Sequence, residues 1–414
     1  MIEFTRYTLA NGLRLLIHED RSTPMVAVSV QYDVGSRDES PERTGLAHLF
    51  EHLMFSGSKY APSYDDPLQL AGGENNAFTN ADITNFHVSV PSANLDLALW
   101  LEAGRMAALK LNQTNLDVQR KVVVEEFKET CLNEPYGDLW HHLSALCYRQ
   151  HPYRWPTIGL EPKHIEEVSL KEAKAFRAAH YHVGNAIVAV AGNTTAAAAL
   201  ASATRLFADL PAGARRERQI APEPVQEAPR RLSVEADVPI EAVMLAYPMC
   251  GRTDDDFYVL DLLTDVLAEG ASSRLYRRLV KEQGLATTVD AYVTGTLDPG
   301  LLILEAKARG DVSLETLEAS LLAEVKRLRE ELVPVLELEK VKQKLEASVA
   351  FSELSIVNRA INLCFYEGLG DVDLIHSEDE RYQSVRAQEL LRAAQEYLRP
   401  ERLNVLYCRS KSGD

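Results

Sequence analysis

Apolar residues recur along this chain with two distinct periods. The runs "AVSVQYDV" (27–34) and "NFHVSVP" (85–91) alternate with period two, the pattern of half-buried strands. "NLDLALWLEAGRMAAL" (94–109) and "NLDVQRKVVVEEFKETCL" (115–132) instead repeat apolar positions at i, i+3 and i+4, which predicts amphipathic helices. Strand, helix, strands, long helices and a closing strand follow in that order, so the expected class is α+β, a mainly antiparallel sheet packed with helices.

The pattern is written twice. "MVAVSVQYDVGSRDE" resembles "EAVMLAYPMCGRTDD", with Gly35 matching Gly251, and "YHVGNAIVAVAG" resembles "YLRPERLNVLYC", with Tyr181 matching Tyr397; both pairs are 216 residues apart. An offset kept at both ends of a half implies a duplicated domain. Between the copies, residues 211–231 are rich in Pro, Arg and Glu and lack apolar periodicity. The expected division is therefore 1–212, a linker 213–231, and 232–414.

Composition narrows the class. Of 414 residues, 46% are hydrophobic and 25% charged, ample for sizeable cores, and no apolar run reaches the roughly 18 residues of a membrane span. The formal charge of -17 is spread without basic clusters, which argues against nucleic acid or an anionic membrane as partner. Five scattered cysteines show no CxxC spacing, so a disulfide framework and a thiolate zinc site are both disfavoured. The N-terminus lacks a signal-peptide pattern; the expected compartment is the cytoplasm, or the periplasm if a leader was trimmed.

One helix breaks the pattern. In "TGLAHLFEHLMFSGS" (44–58), His48, Glu51 and His52 stand inside an apolar run, where unpartnered ionisable groups cost several kcal/mol. Shifted by 216, they fall on Thr264, Leu267 and Ala268, so the second copy has an ordinary core helix there and the fold does not need the triplet. Spaced i and i+4, His48 and His52 share a face and can aim two imidazoles at one zinc ion, with Glu51 beside it as a general base. A third ligand must come from elsewhere. In "QRKVVVEEFKET", Glu125 sits between Lys121 and Lys128 at ion-pair spacing, whereas Glu126 follows Val122 and Val123 and is expected to face inward; Glu126 is the candidate. His141, His142, His151, His180 and His182 have no companion at ligand spacing with an acid between. Ser272 and Ser273 in "EGASSRLY" lack a nucleophile-elbow context and read as a helix start.

These residues strongly resemble the inverzincins, the pitrilysin/insulinase (M16) metallopeptidases with a His-x-x-Glu-His signature and a downstream glutamate. "GLAHLFEHLMFSGS", "ENNAFTNADITNFHVSVP", "RKVVVEEFKE", "HPYRWPTIG" and "SSRLYRRLVKEQGLA" occur in the family's order, and the resemblance spans essentially the whole chain. It implies His48, His52 and Glu126 as ligands of one zinc per chain, Glu51 as the base, and a LuxS/MPP-like metallohydrolase architecture forming half of a clamshell. It also implies that Asn76, Ala77 and Phe78 lie on the edge strand along which peptide substrates add by main-chain pairing.

Two departures shape the expected assembly. Seven residues before the metal-binding glutamate the family has a second Glu, here Gln119, which keeps hydrogen bonding to a neighbour of the metal but adds no charge. Where active members carry an Arg and, seven residues later, a Tyr, this chain has Val280 and Thr287. The resemblance is thus to the zinc-bearing subunit of a heterodimer whose homologous partner supplies the Arg/Tyr pair, with a homodimer as the other arrangement. The expected function is a zinc endopeptidase acting on short or unfolded peptides inside a closed chamber. The alternative is a non-catalytic scaffold or assembly subunit of the same family.

Overall fold

The computed structural model describes residues 2–215 and 218–411. Its strands are β1 (Thr5–Thr8), β2 (Arg14–Glu19), β3 (Met25–Tyr32), β4 (Glu74–Thr79), β5 (Thr84–Pro91), β6 (Ala186–Gly192), β7 (Arg230–Ala236), β8 (Ala242–Pro248), β9 (Ala286–Val293), β10 (Leu301–Ala308) and β11 (Asn404–Ser410). The α-helices are α1 (Leu46–Leu53), α2 (Asp65–Leu70), α3 (Leu95–Ala108), α4 (Gln113–Phe127), α5 (Leu139–Cys147), α6 (Pro162–Glu166), α7 (Leu170–His180), α8 (Ala196–Phe207), α9 (Asp256–Ala268), α10 (Leu314–Glu330), α11 (Val335–Ser352), α12 (Ile356–Leu369), α13 (Leu374–Ser384) and α14 (Ala387–Tyr397). None is long and apolar enough to cross a membrane.

Two sheets carry the duplicated plan. The first has the order β1-β2-β6-β3-β5-β4 and the second β7-β11-β8-β10-β9. Each is antiparallel except for one equivalent parallel pair, β2 with β6 and β7 with β11. The α+β class is the expected one. Even a turn is repeated: the Gly35 amide donates to Asp38 at 3.1 Å, and the Gly251 amide to Asp254 at 2.9 Å.

The compact units are not contiguous in sequence. One comprises 1–127, 155–220 and 349–377; the other comprises 128–154, 221–348 and 378–414. Residues 128–154 thus join the second unit, and 349–377 the first. In the first unit α12 covers the sheet face made by β3 and β6, with Ala360, Leu363 and Cys364 buried against Ala27, Ile187 and Ala189. Burying Leu363 and Ile187 contributes roughly 1.5–3 kcal/mol each. Arg359 pairs with Asp20, and the buried Glu367 takes Arg6 at 2.7 Å, so polar bonds pin both ends of α12 to the β1–β2 region.

Candidate metal centre

Two apolar periodicities position the site in the first unit. On α1 the residues Leu46, Leu49, Phe50 and Leu53 are buried, and Phe50 stacks on Tyr181 at 5.1 Å between ring centroids. This anchors one side of the helix in the core and turns His48, Glu51 and His52 to the other. The inward stripe of α4 is Leu116, Val123, Val124 and Phe127. Glu126 lies at the margin of that stripe. Val122, expected to face inward with it, is 45% exposed, because residues 122 and 123 are about 100° apart around the helix. The carboxylate is therefore half-buried, at the boundary between core and solvent.

The two helices bring the three groups together. His48 Nε2 is 3.5 Å from Glu126 Oε1, His52 Nε2 is 3.3 Å from Glu126 Oε2, and the imidazole centroids are 4.9 Å apart at 89°. All three ligand atoms lie within 4.8 Å of one another. Ligands held about 2.0–2.1 Å from a tetrahedral zinc are about 3.3–3.4 Å apart, so each imidazole nitrogen stands about one such edge from a Glu126 oxygen, a different oxygen in each case. Among the described residues no other three His, Cys, Asp or Glu side chains converge in this way.

Electrostatics favours the ligating form of His48 and of Glu126. Burial lowers the pKa of His48, against the opposing pull of Glu126, so its ring is held neutral. The hydrogen bond from His52 lowers that of Glu126, keeping the carboxylate ionised. Glu51 is half-buried on the same helix, and its charge acts on both His48 and Tyr181.

The surroundings place the remaining candidates. Asn76, Ala77 and Phe78 lie on β4, the edge of the first sheet, opposite His87, Phe86 and Asn85 of β5, and α1 packs against β4. Beneath β5, the fully buried Arg105 forms a pair with Glu102 and stacks over Phe86 at 4.2 Å and Tyr64 at 4.7 Å. Gln119 is half-buried on α4, two turns before Glu126. Val280 and Thr287 belong to the second unit: Val280 packs against its core, and Thr287 is exposed on the edge strand β9. Ser273 precedes a helical turn, but its buried hydroxyl makes no capping hydrogen bond.

One buried acid escaped the sequence reading. Glu39 accepts the amides of Gly45 at 2.8 Å and Ala47 at 2.7 Å, at the start of α1. Its signal was a carboxylate shortly before a helix whose cap position is a glycine.

A duplicated α+β fold and a His-x-x-Glu-His helix meeting a carboxylate from a second helix define a chain of the metallopeptidase type. Residues 14–161 match the family Insulinase (Peptidase family M16), and residues 167–345 match the Peptidase M16 inactive domain. The zinc protease PqqE of Helicobacter pylori is 30% identical over 401 residues, covering 95% of this chain and 89% of that protein. A solved protease from Helicobacter pylori superposes with a TM-score of 0.93 at 28% identity over 99% of this chain and 100% of that one. A peptidase M16 inactive domain from Pseudomonas fluorescens shares the fold, with a TM-score of 0.88 at 20% identity and 100% of both chains covered. This chain belongs to peptidase family M16.

Proposed function

We propose that this chain is a zinc-dependent endopeptidase for short or unfolded peptides. The observation that carries this reading is the convergence of His48, His52 and Glu126 within 4.8 Å, each imidazole nitrogen within 3.5 Å of a Glu126 oxygen. These three side chains would hold the ion. When bound, zinc supplies a Lewis acid that brings the pKa of a coordinated water to about 7. Glu51, one residue before His52 and bound to no ion, accepts the proton of the attacking water and returns it to the departing amine. The neutral His48 ring and the ionised Glu126 hold the donor set in the form a cation needs. Gln119, two turns earlier on α4, would be a neutral hydrogen-bonding neighbour of the ligand set, where a glutamate would add charge.

The edge strand β4 supplies the substrate platform, with Asn76, Ala77 and Phe78 along it. An extended peptide adding there gains main-chain hydrogen bonds, which bind a backbone whatever its side chains. Val280 and Thr287 cannot replace an arginine and a phenol at substrate, so the working enzyme is a heterodimer in which a homologous partner without the histidines brings that pair. The test is metal content and peptidase activity of the chain alone and with such a partner: one zinc per chain and partner-dependent hydrolysis are expected. Full activity of the monomeric chain would remove the partner, and zinc-free, inactive protein in both states would leave an assembly subunit.

A further inference from the structure

A helix of eight residues, as α1 is, forms poorly by itself, and its first amides need acceptors from outside. Most helices find one in a Ser, Thr, Asp or Asn at the cap position. α1 has Gly45 there, with φ at +84° and no side chain to offer. No larger residue fits: a Cβ at Gly45 would stand 2.6 Å from the Ile158 carbonyl oxygen and 2.8 Å from Ile165 Cδ1. The close neighbour belongs to the "HPYRWPTIG" stretch, whose Gly159, with φ at +103°, runs along the backbone of Thr44 and Gly45. The Leu160 amide donates to Thr44 Oγ1 at 2.8 Å, and Thr44 Oγ1 meets His164 Nδ1 at 2.8 Å. This segment buttresses the start of α1 so tightly that the cap has to come from a distance.

Glu39 provides it. Its buried carboxylate spans the helix start, one oxygen on the Gly45 amide and the other on the Ala47 amide, one residue before His48. Both oxygens accept there, at the positive end of the helix dipole. The second copy shows what happens otherwise. At the same offset of 216 stands Asp255, whose side chain is 98% exposed, and α9 begins at the next residue, Asp256. In the first copy helix formation is delayed to Leu46, and the amides left open are the ones Glu39 accepts.

Resting on the zinc reading above, we propose that Glu39 is a positioning residue of the metal centre: by capping α1 from outside the helix, it fixes the register at which His48 and His52 face Glu126. The pairing is demanding. Burial holds the Glu39 carboxyl well above its ordinary value, with the Ala47 and Gly45 amides opposing the shift only in part. An amide in its place would set an NH2 group against one of those N–H donors.

The test compares Glu39→Gln with Asn185→Ala. The latter removes two buried hydrogen bonds, to the carbonyls of Asp33 and His180, without touching α1. For Glu39→Gln the expectation is a 10- to 100-fold loss of zinc affinity, the usual size for a group supporting metal ligands, an altered visible spectrum of the cobalt-substituted protein, and faster amide exchange at Leu46 and Ala47 in the metal-free chain. Asn185→Ala should lower Tm and leave zinc affinity and spectrum unchanged. Should Glu39→Gln fail to fold, Glu39→Asp, which keeps both oxygens on a shorter stem, carries the same measurements with smaller losses. Unchanged affinity, spectrum and exchange in the Glu39 variants would overturn the proposal. Wild-type protein that takes up no zinc would instead overturn the functional reading, and amide exchange in the metal-free chain would still decide whether Glu39 holds α1.

Discussion

α1 and α9 occupy the same place in two copies of one fold, and only α1 carries the His-x-x-Glu-His triplet. In α9 the equivalents of His48 and Glu51 are Thr264 and Leu267, both buried, and Ala268 follows where His52 would stand. The same fold is thus built with and without the triplet, so packing does not require it. α3 and α10 repeat the lesson with a different outcome. Glu102 and, 216 residues on, Glu318 are both buried acids, but the first is satisfied by Arg105 one turn along its own helix and the second by Arg231 of β7 and by Tyr407. Glu102 and Glu318 each find an arginine; Glu126 meets two histidines. That difference is what the proposed zinc site rests on.

The comparison can be broken most completely by writing α9 into α1. The triple change His48→Thr, Glu51→Leu, His52→Ala should abolish zinc uptake and leave circular dichroism unchanged, with Tm of the metal-free protein equal or higher. Loss of fold would mean that the triplet is structural. Next in size, Glu51→Gln should retain one zinc while hydrolysis falls by about 10²–10⁴-fold, as measured by metal analysis beside peptide turnover.

The stability of the first unit should depend sharply on its internal pair. Arg105→Met strands Glu102 and removes the cation from Phe86 and Tyr64, and is expected to cost about 3–5 kcal/mol in denaturant unfolding. In the second unit the acid on α9 gives the smallest effect. Burial, with Asp261 and Glu269 adding, pushes the Asp265 carboxyl from its ordinary 3.8 up to about 7. The folded state then holds a proton that the unfolded chain has released. Its stabilisation is complete below about pH 3.8 and is lost as pH rises through about 7. Asp265→Asn should therefore gain on the wild type by about 2–3 kcal/mol between pH 5 and pH 8, read from Tm at the two values.

Much of this was legible in one dimension. Period-two runs gave strands and i, i+3, i+4 recurrence gave helices because one face of each element packs on a core. The duplication was visible because Gly35 and Gly251 occupy the same turn, each closed by an aspartate three residues on. The His48, Glu51 and His52 spacing showed itself as ionisable groups where the second copy has Thr264, Leu267 and Ala268. Other features depend on partners distant in sequence. The exchange of 128–154 and 349–377 between units has no compositional mark, since α12 is apolar on one face whichever sheet it covers. The exposure of Val122 turns on the exact phase of α4, which three consecutive valines blur. Glu39 reads as a loop acid until the fold brings its carboxylate onto the Gly45 and Ala47 amides.

The most direct measurement is anomalous diffraction at the zinc edge from crystals of the chain purified with its metal. One zinc peak is expected, about 2.0–2.2 Å from Nε2 of His48, Nε2 of His52 and a carboxylate oxygen of Glu126. Density without a peak there, or imidazoles turned away from Glu126, would contradict the account.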